Sequence, residues 1–309
     1  MKSLRTLLFQ ASLLSALATV AWSQELAYPR LGYIFDARSG ALLHLAGIPG
    51  AALASPAAID GADLSPAAVS NERRYALGAA GDSVVLVDLA AAQVPRPLDL
   101  EAGPRRILLS PGGEAALLDY GGKVCVVRGL PAEPQTRCYP LEGGTAALAV
   151  SDQGAAIVAA PGGVLLLDGE RGVALPAPAA VKAAAFRQGS DDAVLASPGE
   201  TWLASGVRGV PSLRALPVAA AEPAAAAFSR DGSRVYVADA AEGAVAELTL
   251  ATSAVRTAAC GCRPEGLQRL AGNGVFYLID TGSPVVRLFD GDAPEPRAVF
   301  VPIPSGEAN

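Results

Sequence analysis

The chain has 309 residues, of which 51% are hydrophobic and 17% charged, with a formal net charge of −6. That apolar share builds a packed core and excludes a disordered chain. The acidic balance argues against a nucleic-acid partner, since phosphate binding rests on clustered Lys and Arg and only the pairs Arg73-Arg74 and Arg105-Arg106 stand together, where they read as solvated loop charges.

In chain order, Lys2 and Arg5 precede an apolar run from Leu7 to Val20, followed by Ala21 and Ser23 at the −3 and −1 positions of a cleavage site. This pattern predicts a secretory signal over residues 1–23, cleaved to leave a mature domain of 24–309 that is secreted or periplasmic. The run carries Gln10, Ser12 and Ser15 and falls short of the roughly 20 apolar residues a spanning helix needs, so no integral membrane segment is expected after signal cleavage. Losing Lys2 and Arg5, with no Asp or Glu in residues 1–23, takes the net charge from −6 to −8.

Next comes "LGYIFDARSGALLHLAG" (31–47), two alternating strands turned at Ala37 to Gly40, with "AALAS" (51–55) as a third. Six similar segments then begin at Ala67, Arg106, Ala146, Ala183, Ala226 and Gly266, spaced 39, 40, 37, 43 and 40 residues apart. The clearest reads "AFSRDGSRVYVADAAEGAVAELTLATSAVR": a strand ending at Phe228, a turn with Asp231-Gly232, a strand to Ala238, the alternating "AVAELTL", and a fourth short strand. Four short strands cannot bury both faces alone, and a four-stranded repeat near 40 residues is the signature of a β-propeller blade. The expected fold is all-β, a single propeller of seven short four-stranded blades whose first, atypical blade resembles the outer half of the others; the alternative is six blades with an N-terminal extension. Helix propensity would make "VAAAEPAAAAF" helical, but Pro223 interrupts it and the repeat places its second half on an inner strand, where small Ala side chains suit the crowded axis.

The stretch "FSRDGSRVYVAD" resembles the repeat of YVTN-type propellers, a group that includes lactonase-like secreted bacterial proteins; Tyr236-Val237-Ala238-Asp239 stands at the name-giving tetrapeptide. The resemblance is closest in this repeat and looser in those from Ala67, Arg106 and Gly266. It implies a propeller fold and, for the lactonase group, a lactone-opening site on one face of the ring. The WD-repeat version is disfavoured, because the chain has one His and no Trp-Asp dipeptide.

Four Cys in an exported chain favour disulfides. Cys125 and Cys138 flank "VVRGLPAEPQTR" between two apolar strands and are expected to bridge neighbouring strands of one blade. Cys260 and Cys262 in "CGCRPEG" have three readings: a local disulfide eased by Gly261, a thiol pair for another partner or a soft metal, and free or cross-blade cysteines. Zinc is not expected, since His44 is distant and is the sole imidazole; it reads as a surface or edge residue. "SPGG" and "APGG" read as blade turns, because neither continues into Gly-Lys-Ser or Gly-Lys-Thr. Asp36, Asp88, Asp119, Asp168, Asp239, Asp280 and Asp290 recur beside strand ends and read as turn caps in preference to a ring of cation ligands.

No catalytic, cofactor or metal residues are assigned. The leading expectation is a non-enzymatic binding or scaffolding module for a protein or small-molecule ligand in the envelope or outside the cell, with an exposed aromatic patch from Tyr33, Trp202 or Tyr236. A lactonase-like hydrolase is the alternative, for which Arg263, Glu265 and Arg287 are the candidate residues. A redox or sensor role for Cys260 and Cys262 is the third.

Overall fold

The computed structural model describes residues 29–57, 64–91, 94–101, 103–141, 146–178 and 180–303. The expected signal at 1–23 lies outside these residues. The described chain is all strand, in six four-stranded antiparallel sheets and one three-stranded sheet. The second to seventh sheets begin at Ala67, Arg106, Ala146, Ala183, Pro223 and Gly266, each running in simple meander order. Turn chemistry explains the repeat. In blade 6, Gly232 takes φ 68° and donates to the Ser229 carbonyl (2.9 Å) while Asp231 accepts from the Ser229 and Ser233 hydroxyls (2.6 and 2.8 Å). Partial burial alone would raise the Asp231 pKa, but these bonds and one from Asn273 hold it below the usual carboxylate range.

Both faces of the inner three strands of a blade pack on neighbouring blades, so hydrophobic clusters form between blades. Seven clusters join blade 1 to 2, 2 to 3 and so on to 6 to 7, and the last joins Leu270, Tyr277 and Leu288 of blade 7 to Leu31, Leu43 and Leu45 of blade 1. An open stack of seven would have one interface fewer; the ring is closed. The chain is a seven-bladed β-propeller. Two main-chain bonds also cross the closure, Ala271 N to Leu31 O (2.8 Å) and Ala54 N to Pro302 O (3.4 Å). The inner strands touch one another around the axis, and those of blades 5 and 6, Ala183–Phe186 and Pro223–Phe228, are Ala-rich.

Turns between second and third strands and the links entering each blade share one face, called upper here, where Cys260 N donates to Gly243 O (2.8 Å) and Ala240 N to Glu222 O (2.9 Å). This sorts the recurring aspartates. Asp36, Asp119, Asp239 and Asp280 end second strands on the upper face, whereas Asp88, Asp168 and Asp290 end third strands on the opposite face, so they form no single ring. Asp239 shows their role, accepting the backbone N–H of Ala221, Glu222, Ala241 and Glu242 at 2.6 to 3.3 Å and so capping turn and link together.

Cys125 and Cys138 stand directly opposite on the third and fourth strands of blade 3 and are disulfide-bonded, Cα–Cα 4.0 Å. Closing a loop of this size contributes about 3 kcal/mol in the chain-entropy view. Cys260 and Cys262 also form a disulfide, so the local-bridge reading of that pair holds. Both bonds fit a non-reducing compartment. Among the described residues no helix is long and apolar enough to cross a membrane.

Three expectations need correction. Tyr236 is not on a surface patch: it is fully buried between blades 6 and 7, edge-on to Phe276 and Phe289 at 4.8 and 5.6 Å. Trp202 is half-buried at the interface of blades 4 and 5, and Tyr33 is half-buried beside the closure. His44 lies on the middle strand of blade 1, not at an edge, with its ring 5.1 Å from that of Tyr33 and its Nε2 buried.

Candidate functional site

Blade 1 departs from its sisters in one respect. Its strands Arg30–Asp36, Ala41–Ala46 and Leu53–Pro56 match the second, third and fourth strands of blade 6, with Asp36 at the place of Asp239, so no described residue supplies an inner strand. The consequence is visible in burial: second strands such as Ala193–Ser197 are buried throughout, whereas Gly32, Tyr33 and Phe35 are half-exposed. Side chains from the flanking blades occupy part of the open edge. Asn71 of blade 2 accepts from Tyr33 N (2.6 Å) and donates to Tyr33 O (3.1 Å), and Gln268 of blade 7 donates to the same oxygen (2.7 Å). Gly32 is required here, because a Cβ at its φ of 131° would collide with the Asn71 carboxamide.

One step toward the upper face, no described side chain plugs the edge in this way. By the two-residue strand period, the N–H and C=O of Phe35 point the same way as those of Tyr33. In blade 7 the matching Ile279 carbonyl is taken by Glu265 N (2.7 Å), and in blade 5 that of Ala196 by Lys182 N (2.9 Å); no described strand does this for Phe35. A shallow cleft of about 20 Å³, open to solvent, lies at this point between blades 7 and 1. Its lining mixes Phe35, Tyr277 and Ile279 with a polar mouth of Asp36, Arg38, Asp280, Thr281 and Ser283.

The mouth is ion-paired. Asp36 accepts from Arg38 N (3.2 Å) and the Ser39 hydroxyl (2.7 Å), and the Arg38 guanidinium reaches the Pro284 carbonyl (3.3 Å). Desolvation, with Asp36 adding its charge, pushes the Tyr277 phenol up to about 12, so it stays a neutral hydroxyl at the back of the cleft. On the other side, Glu72 and Arg230 pair across non-adjacent blades 2 and 6 (2.6 Å), and Arg269 of blade 7 reaches Gln188 of blade 5 (2.8 Å). These bridges tie the lower ends of the inner strands together and leave the upper face as the approach to the cleft.

Three residues singled out in the sequence converge on this mouth. Arg263 donates its backbone N–H to Asp280 (3.3 Å), Glu265 accepts from the Thr281 hydroxyl (2.8 Å), and Arg287 donates to the Ser283 hydroxyl (2.7 Å) and stands 3.9 Å from Asp280. The Arg263 guanidinium turns away to Glu222 (2.9 Å). No sequence pattern marks Phe35, Asp36, Arg38 and Tyr277 as a unit; the available signal is that the first hairpin lacks a preceding strand. No lining residue is a His, Cys or Lys, and no three described His, Cys, Asp or Glu gather as for a metal ion. What the arrangement offers is a strand edge that no described strand pairs, beside Tyr277 and Ile279 and a mouth of both charges.

No family model matches the chain, and no curated protein matches it. Solved structures do. A protein of unknown function from Desulfotomaculum acetoxidans is similar with a TM-score of 0.60 at 12% identity, covering 88% of this chain and 99% of the other. Hsv2 from Kluyveromyces marxianus gives 0.53 at 14% identity, over 89% and 97%. A streptogramin B lyase gives 0.55 at 13% identity, over 82% and 90%. These are β-propeller proteins, and at such identities the likeness shows the fold alone.

Proposed function

We propose that this chain is an exported, non-enzymatic binding module, secreted or periplasmic, whose ligand seats in the cleft between blades 7 and 1. The observation that carries the reading is the open edge at Phe35: a strand edge that no described strand pairs, beside Tyr277 and Ile279, offers main-chain hydrogen bonds and apolar contact together, as ligand sites do. A small molecule with amide or hydroxyl groups, or an extended segment of an envelope protein, fits this chemistry. The signal pattern and both disulfides support export.

The test is a thermal-shift screen of the mature protein against lactones, glycans, quinones, divalent cations and short peptides, run beside Ala37→Trp, which places an indole in the mouth from an exposed turn position. A ligand at 100 times its Kd stabilises by about 2.7 kcal/mol. The reading expects a shift in the native protein that Ala37→Trp abolishes. A shift of equal size in both proteins would move the site elsewhere.

One observation favours a second reading. The Arg263 backbone, Glu265 and Arg287 contact Asp280, Thr281 and Ser283 in turn, and the YVTN-type resemblance brings lactone opening with it. Lactone hydrolysis lost in both Glu265→Gln and Arg263→Ala would establish it, and unchanged rates in both would remove it.

A further inference from the structure

We propose that the Cys260–Cys262 bond is a reversible thiol–disulfide exchange site that opens and closes without unfolding the propeller. The two disulfides of this chain do different things. Cys125–Cys138 joins residues 13 apart across paired strands, while Cys260–Cys262 joins residues only 2 apart. Cross-linking stabilises more as the closed loop lengthens, so the smaller ring adds little to folding.

Nor does the loop need the bond to hold its place. Cys260 N donates to Gly243 O (2.8 Å), Arg263 N to Asp280 (3.3 Å) and Glu265 N to Ile279 O (2.7 Å), which fixes the segment at both ends and in the middle. Pro264 is buried behind it. The two residues are unequally exposed: Cys260 is 7% exposed within the blade 6–7 cluster, whereas Cys262 packs against the same cluster and is only half-buried. The space around Gly261 is open, with no atom within 4 Å of where a Cβ would stand.

The partner is a dithiol protein or small dithiol of the extracytoplasmic space. One of its thiolates attacks Cys262 Sγ, the Cys260–Cys262 bond breaks, and Cys260 leaves as a thiolate that takes a proton from water. The partner's second thiolate then attacks the mixed disulfide and releases Cys262. This chain gains two electrons and two protons as a dithiol, and the partner is left as a disulfide. The reverse sequence reoxidises the loop. The site stands independently of ligand binding in the cleft.

The experiment equilibrates the folded mature protein with graded dithiothreitol, traps thiols with a maleimide, and reads labelling by mass spectrometry while circular dichroism follows the fold. The expected result is that Cys260 and Cys262 label fully at dithiol levels that leave Cys125 and Cys138 blocked and the spectrum unchanged. Labelling of all four together, or only once the spectrum collapses, overturns the proposal. A second measurement fixes the order of attack. In Cys260→Ser the remaining Cys262 is expected to react with oxidised glutathione at least about tenfold faster than Cys260 does in Cys262→Ser, following their exposure; equal or reversed rates contradict the step as written.

Discussion

The carboxamide of Asn71 closes on both main-chain groups of Tyr33, its Oδ1 2.6 Å from the Tyr33 nitrogen and its Nδ2 3.1 Å from the Tyr33 oxygen. A side chain of blade 2 thereby does for blade 1 what a neighbouring strand does in every other blade. Asn71→Ala leaves a part-buried donor and acceptor without this partner, which costs about 1–3 kcal/mol. Gly32→Ala is expected to cost at least as much, since it combines a positive φ with a collision against Asn71. Urea midpoints of the two variants check both, and native-like midpoints would show that the carboxamide contributes nothing.

Tyr236 tests whether the blade 6–7 cluster is an apolar core. Its hydroxyl is buried without a hydrogen-bond partner while its ring meets Phe276 and Phe289 edge-on. Tyr236→Phe is expected to be neutral or stabilising, by up to about 1 kcal/mol, because it removes an unsatisfied polar atom. A loss of stability beyond about 2 kcal/mol would show that the hydroxyl is bonded.

The two outcomes so far mark what could be read from the chain. Strand starts at Ala67, Arg106, Ala146, Ala183 and Gly266 coincide with the repeat starts, because turn residues such as Asp231-Gly232 recur at a fixed spacing. The pairing of Cys125 with Cys138 was legible for the same reason. The side of a strand was not: both faces of a second strand are buried, so alternation does not say whether Tyr236 points to blade 5 or to blade 7. The aspartates recur once per repeat in the sequence, yet second and third strands end on opposite faces, which divides Asp119 and Asp239 from Asp88 and Asp168. The cleft joins residues about 240 positions apart, Asp36 and Asp280, and only ring closure brings them together.

Acid should expose His44. Its pKa is lowered from 6.5 by burial first and by Arg30 second, so the folded protein holds it neutral while the unfolded chain protonates. Between the folded value and 6.5 the unfolded state binds more protons, and stability therefore rises with pH and falls as pH drops through that window. His44→Gln should flatten the slope of the urea midpoint against pH just below 6.5, and an unchanged slope would assign it to other groups.

Asp239 should behave as a structural anion. Burial would raise its pKa, but the backbone N–H groups of Ala221, Glu222, Ala241 and Glu242 prevail and lower it. Asp239→Asn weakens four charge-assisted bonds at the upper face and is expected to cost about 2 kcal/mol, with Asp239→Ala costing more. Thermal midpoints of the two variants rank them; equal midpoints for both and the native protein would remove the carboxylate from the account of these turns.

The open edge of blade 1 is tested most directly by hydrogen exchange of individual backbone amides in the folded, ligand-free protein. The amide of Phe35 is predicted to exchange at least about a hundredfold faster than those of Ala238 and Leu278, which lie in second strands paired on both sides, since an unpaired edge exchanges through small local fluctuations. Protection of Phe35 equal to theirs would mean that the edge is already filled, and the cleft would lose its claim as the ligand site.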